Sequence, residues 1–173
     1  MDFDHRSFRD ALSQFATGVA VVTACCPDGG AIGMTMSSFN AVSLDPPLIL
    51  FSVDRRARSL PAMREAKGFA VNILGRSQEA LSNQFARALS DKWEAVEHTL
   101  GHAQAPLLRG ALAHFECEPY GQHDGGDHVI VVGRVVRFAA NTREQPLLFF
   151  RGRYHSVSSG DERAPEWPLP IHY

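Results

Sequence analysis

The sequence predicts a closed or nearly closed antiparallel β-barrel with a few short helices added. Three observations carry that prediction. Short β-branched and aromatic runs recur along the chain, each bounded by Gly, Pro, Asp or Asn. Helical patterns are few and do not alternate with the strands, which disfavours a doubly wound parallel sheet. The 173 residues, 45% of them hydrophobic, suffice for one packed core and one domain.

The elements follow in order. Phe8, Leu12 and Phe15 lie at helical spacing, which predicts an amphipathic helix over 6–16 ended by Thr17-Gly18. VAVVTACC reads as a buried strand, Pro27-Asp28-Gly29-Gly30 as a turn, and residues 19–38 together as a hairpin. A short strand is expected from Phe39 to Ser43, a turn at Asp45-Pro46-Pro47, and a buried strand over LILFSV, 48–53. Arg58 to Lys67 reads as a short helix with Pro61 in its first turn. GFAVNIL, 68–74, is a strand. Ser77 to Leu89 reads as a helix with Ser77 as N-cap and Leu81, Phe85 and Leu89 on one face.

Residues 90–110 carry no periodic signal. LAHFECEPYGQ, 112–122, alternates, with Glu116 and Glu118 opposite Phe115 and Cys117. DHVIVVGRVVRFA, 127–139, is the longest strand signal, and 147–157 is a final strand pair around Gly152. The sum is about seven or eight strands and two or three short helices. Residues 1–157 form the expected domain, and 158–173 a Pro-rich arm.

Composition excludes several classes. A net charge of −2 argues against non-specific nucleic-acid binding. No 18-residue apolar run exists to span a membrane as a helix. The segment MDFDHRSFRD lacks the apolar core of a secretion signal, and Cys25, Cys26 and Cys117 suit a reducing compartment, so a cytoplasmic location is expected. No GxGxxG, P-loop, HExxH or GxSxG motif is present. His98 and His102 stand four apart, but Gly101 breaks the helix that metal-ligand spacing would need, so no metal is expected.

The stretch GMTMSSFNAVSLDPPLILFSVDRRARS, 33–59, holds the strongest functional signal. Gly33 allows close approach of the strand to another surface. Thr35, Ser37 and Ser38 offer hydroxyls and backbone groups to a flat heteroaromatic edge, although a polar edge strand would look the same. Arg55, Arg56, Arg58 and Ser59 follow a buried strand and can hold a phosphate, with Ser52 adding a hydroxyl. A solvated basic loop is the competing reading. His128, after Gly125-Gly126-Asp127, either contacts a ligand at the barrel rim or sits in water on a turn. Arg151, Arg153, Tyr154 and His155 flank a glycine turn and either grip a ligand or form a charged hairpin end.

FATGVAVVTA (15–24), the 33–59 block, FAVNIL (69–74), GDH (126–128) and PLLFFRGRYH (146–155) together resemble the flavin reductase family. These are reductase components of two-component flavin-dependent monooxygenases, with an FMN-binding split-barrel fold. The five blocks occur in order over nearly the whole chain. The resemblance implies a Greek-key-like, homodimeric antiparallel split barrel. It implies reduction of FMN or FAD by NADH or NADPH, with reduced flavin passing to a separate monooxygenase. By the same resemblance, Thr35, Met36, Ser37 and Ser38 line the isoalloxazine. Ser52, Val53, Asp54, Arg55, Arg58 and Ser59 hold the ribityl and phosphate portion. Asn83 and Phe85 lie near the flavin, Arg153 and Tyr154 complete the pocket, and His128 sits beside the nicotinamide as the catalytic candidate. Three other readings remain: a flavin-binding protein without turnover, a reductase of this fold acting on a corrinoid or ferric acceptor, and a scaffold subunit.

Overall fold

The computed structural model of the chain describes residues 3–87, 91–141 and 144–157. The order is α1 (His5–Leu12), β1 (Thr17–Gly18), β2 (Ala20–Cys25), β3 (Ala31–Met36), β4 (Asn40–Leu44), β5 (Pro47–Asp54), α2 (Leu60–Glu65) and β6 (Phe69–Ile73). There follow α3 (Glu79–Ala86), β7 (His98–Leu100), β8 (Pro106–Leu108), β9 (Ala113–Gly125), β10 (His128–Ala140), β11 (Leu148–Phe150) and β12 (Arg153–His155). The predicted antiparallel β architecture is present. Its strands outnumber the expectation because β1, β7 and β8 have only two or three residues each, too few to show a period.

Seven strands form the main sheet in the order β3-β2-β6-β9-β10-β5-β4. The hairpin β2–β3 lies at one end and β4–β5 at the other, so the chain jumps across the sheet in a Greek-key-like manner. The sheet curls until its ends meet. Just past β3, the Ser38 hydroxyl accepts the Ser52 N–H at 3.0 Å and lies 3.2 Å from the Ser52 carbonyl, to which it donates. One serine thus closes the barrel where two backbones diverge. The β1-β11-β12 sheet and the β7-β8 pair pack outside.

The run VAVVTA is apolar throughout because β2 is covered on both faces. Ala20, Val22 and Ala24 join Phe51, Val53, Phe69, Val71, Cys117 and Val131 inside the barrel. Val19 and Val21 face a second cluster with Leu74, Phe85, Leu108 and Leu147. Gly133 lets β10 pass the Phe69 ring, which stands 2.3 Å from where a Cβ would be.

The predicted helices are shorter than expected. α1 is capped by Asp4, which accepts the Arg6 N–H at 2.9 Å, and ends at Leu12 rather than residue 16. The residues beyond are claimed by tertiary bonds. Ser13 O accepts the Arg151 N–H, Gln14 accepts the Arg151 guanidinium, and Thr17 pairs with Phe149. Ser77 is not the cap of α3. Its N–H goes to Glu144 at 2.7 Å, and a 3-10 turn, Arg76–Gln78, precedes the helix. Leu89 and the arm at 158–173 lie outside the described residues.

Residues 98–108, unread in the sequence, are tied to the barrel by a buried amide. Asn72 donates to Val21 O at 3.0 Å and to the Thr23 hydroxyl at 3.1 Å, and accepts the Leu108 N–H at 2.9 Å. Glu116 and Glu118 do lie opposite Cys117, but Glu116 is buried, and its carboxylate accepts the His102 N–H.

Candidate active site

A cavity of about 440 Å³ opens between β3, β5, the loop into α2 and the end of α3. That volume suits a small-molecule site. One wall is β3, with Met34, Thr35 and Met36. β3 is the terminal strand of its sheet, so its outer row of N–H and C=O groups pairs with no other strand. Thr35 is fixed by donating its hydroxyl to Ser82 O at 2.6 Å. The opposite wall is Ser52, Val53 and Asp54, continuing into Arg56, Arg58 and Ser59. Phe85, Arg87 and Lys92 close the remaining side.

Gly33 has the role its position predicts. A Cβ there would meet the Phe85 ring at 2.4 Å, so the strand and the buried aromatic can only approach because the residue is glycine. Phe85 in turn stands against Trp93, with ring centroids 4.9 Å apart.

The electrostatics are one-sided. Asp54 is the sole carboxylate lining the cavity among the described residues, and Arg56 takes it with a bidentate contact of 2.9 and 3.1 Å. That guanidinium, then the Arg56 backbone N–H, hold the Asp54 carboxyl far below the usual carboxylate range. Arg58, Arg87 and Lys92 have no carboxylate partner among the described residues. Lys92 is half-buried, and burial pushes its ammonium below the ordinary lysine value. The six-residue α2 adds little dipole, so side chains rather than a helix end supply the positive charge. The Ser59 hydroxyl makes no capping bond and stays available.

The sequence-predicted residues divide accordingly. Thr35, Met36, Ser52, Val53, Asp54, Arg58, Ser59 and Phe85 line the cavity. Arg55 does not. Its guanidinium donates to Gly126 O at 2.7 Å and meets Asp124 at 3.1 Å, stapling the loop to the β9–β10 turn. Ser38 is spent on closing the barrel. Ser37 faces a neighbouring cleft of about 290 Å³, together with Arg9, Phe15, Thr17 and Phe149. Asn83 and Tyr154 stand behind the cavity. The Tyr154 hydroxyl lies 2.9 Å from the Ser82 hydroxyl and donates to Asn83 at 3.3 Å, bracing α3 against the final hairpin. Arg153 is exposed on that hairpin and does not line the cavity. His128 pairs in register with Asp54, one strand away from the wall, and its imidazole contacts Asp127 at 2.7 Å. It stands at the rim rather than within.

Arg87 and Lys92 were not singled out by sequence. Lys92 lies in the aperiodic 90–110 stretch, and only tertiary packing brings it to β3. A larger hollow of about 780 Å³ borders Val96, Leu107, His114 and Ala139. Its arginine, Arg109, is spent on Glu97, and no predicted site residue reaches it. Among the described residues, no group of three His, Cys, Asp or Glu converges to hold a metal, and no helix is long and apolar enough to cross a membrane.

The chain is thus a curled antiparallel barrel that bears at its rim a strand edge paired with no other strand, facing cations that no carboxylate neutralises among the described residues. Residues 12–158 match the flavin reductase like domain, and the chain belongs to that family. It is 44% identical over 153 residues to the FMN reductase (NADH) SmoA of Agrobacterium fabrum, covering 88% of this chain and 86% of the relative. It is 37% identical over 164 residues to the Rhodococcus jostii flavin-dependent monooxygenase reductase subunit HsaB, covering 95% and 84%. The solved NADH:FAD oxidoreductase SgcE6 of Streptomyces globisporus, in complex with NAD and FAD fragments, superposes with a TM-score of 0.86 at 35% identity, covering 91% and 94%. The chain spans about half the length (49%) of a Rhizobium meliloti relative to which it is 43% identical.

Proposed function

We propose that this chain is an NAD(P)H-dependent flavin reductase that reduces FMN or FAD and supplies the product to a separate flavin-dependent monooxygenase. One observation carries the reading: the cavity sets a strand edge paired with no other strand against Arg58, Arg87 and Lys92, which have no carboxylate partner among the described residues. A flat heteroaromatic ring with a phosphorylated side chain needs both.

Bound flavin supplies the hydride acceptor, and NADH or NADPH supplies the hydride. The chain's own part is to bind and orient. The β3 edge at Thr35 and Met36 holds the ring plane. Thr35 is locked for this by Ser82, and α3 by Asn83 and Tyr154. Ser52 and Val53 form the opposite wall. Arg58 and Ser59 receive the phosphate, while the Asp54–Arg56 pair and the Arg55 staple shape their loop. Arg153 flanks the pocket from the final hairpin. His128 orients the nicotinamide from the rim.

The assembly is a homodimer. Phe8, Leu12, Phe15, Leu44 and Phe138 are large apolar side chains left exposed on the single chain, and a second copy covers such surface. The catalytic domain spans residues 1–157. The three free thiols fit the cytoplasm.

The test is steady-state oxidation of NADH and NADPH with FMN and with FAD, in all four combinations. Turnover with at least one pair is expected. Protein that binds flavin without oxidising either nucleotide is a binding module, and absence of turnover in every combination overturns the reading. A ferric or corrinoid acceptor reduced faster than both flavins overturns the flavin assignment alone.

A further inference from the structure

The cleft beside Ser37 begins where the ring wall ends, since Met36 lines the flavin cavity and Ser37 lines the cleft. Arg9 and Arg151 border it, and no carboxylate does among the described residues. Two aromatic rings, Phe15 and Phe149, stand in its walls, and Phe15 is 78% exposed. Thr17 also lines it, and the Thr17 hydroxyl is buried with no hydrogen-bond partner among the described residues. A buried polar atom left without a partner is uncommon in a folded chain, and a bound ligand is one source of the missing bond.

Arg151 is fixed in place without losing its charge. It and Gly152 form the two-residue turn between β11 and β12, with φ of 48° and 75°. A turn with positive φ at both places favours Asn-Gly, so the turn itself does not explain an arginine. Gln14 Oε1 accepts from its Nε at 2.9 Å and from a terminal guanidinium nitrogen at 2.5 Å. The guanidinium carbon stands 5.0 Å from the centre of the Phe150 ring. Both partners are neutral. A guanidinium has five N–H donors, so three remain for a ligand. The end of α1 does not oppose an anion here, because its carbonyls are occupied. Arg9 O, Ala11 O and Leu12 O accept the N–H groups of Ser13, Gln14 and Phe15, and Ser13 O accepts that of Arg151.

Cations, aromatic walls and continuity with the ring wall together fit an anionic nucleotide. The flavin phosphate has its own place at Arg58 and Ser59. The other substrate is the hydride donor, whose nicotinamide must meet the ring while its diphosphate and adenosine extend away from it. A guanidinium fork suits a diphosphate, and an exposed phenyl ring suits a stacked base.

We propose that this cleft holds the diphosphate and adenosine of NADH or NADPH, and that Arg151 selects a dinucleotide over a truncated hydride donor. This rests on the flavin-reductase reading above.

The test is steady-state kinetics with the preferred nicotinamide dinucleotide and with N-benzyl dihydronicotinamide, which lacks the diphosphate and adenosine. Wild type, Arg151→Gln, Arg151→Lys and Arg9→Gln are compared. For Arg151→Gln, the dinucleotide KM should rise about 10- to 100-fold, the cost of one charge-assisted hydrogen bond, and the KM of the truncated donor less than about threefold. Arg151→Lys should recover part of the loss. Arg9→Gln should raise the dinucleotide KM by about threefold or more; Arg9 lies on an exposed helix position, so this variant carries the test if Arg151→Gln does not fold. An unchanged dinucleotide KM in the folded variants overturns the assignment. So does an equal rise for both donors, which would make Arg151 a brace for the ring site. Wild type that oxidises neither donor with either flavin overturns the flavin-reductase reading itself, and this inference with it.

Discussion

Replacing Gly33 by alanine adds one methyl group at the most crowded point of the site. That Cβ would stand 2.4 and 2.5 Å from two carbons of the Phe85 ring. Carbon contacts are comfortable at about 3.5–4.0 Å, so ring and strand must separate by ~1 Å or more. Phe85 is only 1% exposed and packs against Trp93, so it has no open space to enter. Overpacking of this kind costs about 1–3 kcal/mol. For a domain of this size each kcal/mol lowers Tm by about 2–4 °C, so Gly33→Ala should melt about 2–12 °C below wild type. The same shift moves the Gly33 carbonyl from Lys92 and the ring from the cavity wall, so FMN affinity should fall as well. Thermal unfolding and FMN titration read the two effects. In the Gly33→Ala background, Phe85→Leu should recover part of the Tm, because a smaller side chain relieves the contact. Wild-type Tm and FMN affinity in the single variant would refute the reasoning.

Four further outcomes follow from the same geometry. His128→Ala should raise the nicotinamide KM more than it weakens flavin binding, since the imidazole stands at the rim beyond the cavity; an unchanged KM in steady-state kinetics removes it from the site. Arg55→Ala should leave FMN affinity within about threefold of wild type, whereas Arg58→Ala should weaken it by ten-fold or more, because Arg55 is spent on the β9–β10 turn; the reverse order in binding assays contradicts the assignment. Burial pushes the Cys117 thiol up to about 12, above the ~8.5 of an unfolded cysteine. The folded chain therefore keeps the proton longer: the Cys117 contribution is whole below about pH 8.5 and is lost as pH rises toward the folded value. Cys117→Ala should flatten that alkaline decline in denaturant titrations, and an identical slope would count against it. Native protein treated with a thiol reagent should react at Cys25 or Cys26 before Cys117, as mapped by mass spectrometry.

The barrel was legible because its strands carry their own signal. VAVVTA, LILFSV and VIVVGRVV are β-branched runs whose burial needs no knowledge of partners, and Pro27–Gly30 marks its hairpin locally. The short strands β1, β7 and β8 carry no such signal. They form because Phe149 pairs with Thr17 of β1, and Thr23 and Asn72 bond Pro106 and Leu108 of β8, which in turn pairs with β7. Helix ends failed for the same reason. Ser77 looks like a cap, yet Glu144 takes its N–H from 67 residues away.

The site divides along that line too. The hydroxyl strand and the arginine loop stand in one continuous stretch, so the sequence points to both walls. Local chemistry does not say which arginine faces inward. Arg55 and Arg58 look equivalent in VDRRARS, and only the position of Asp124 draws one of them away. Lys92 was invisible because its value lies in two backbone carbonyls, of Gly33 and Phe85, which no side-chain pattern reveals.

The most direct measurement is a crystal structure of the protein with FMN bound. The ring should lie along the β3 edge at Thr35 and Met36, with its phosphate at Arg58 and Ser59. FMN in the larger hollow beside Leu107 and His114, with the β3 cavity empty, would contradict the account.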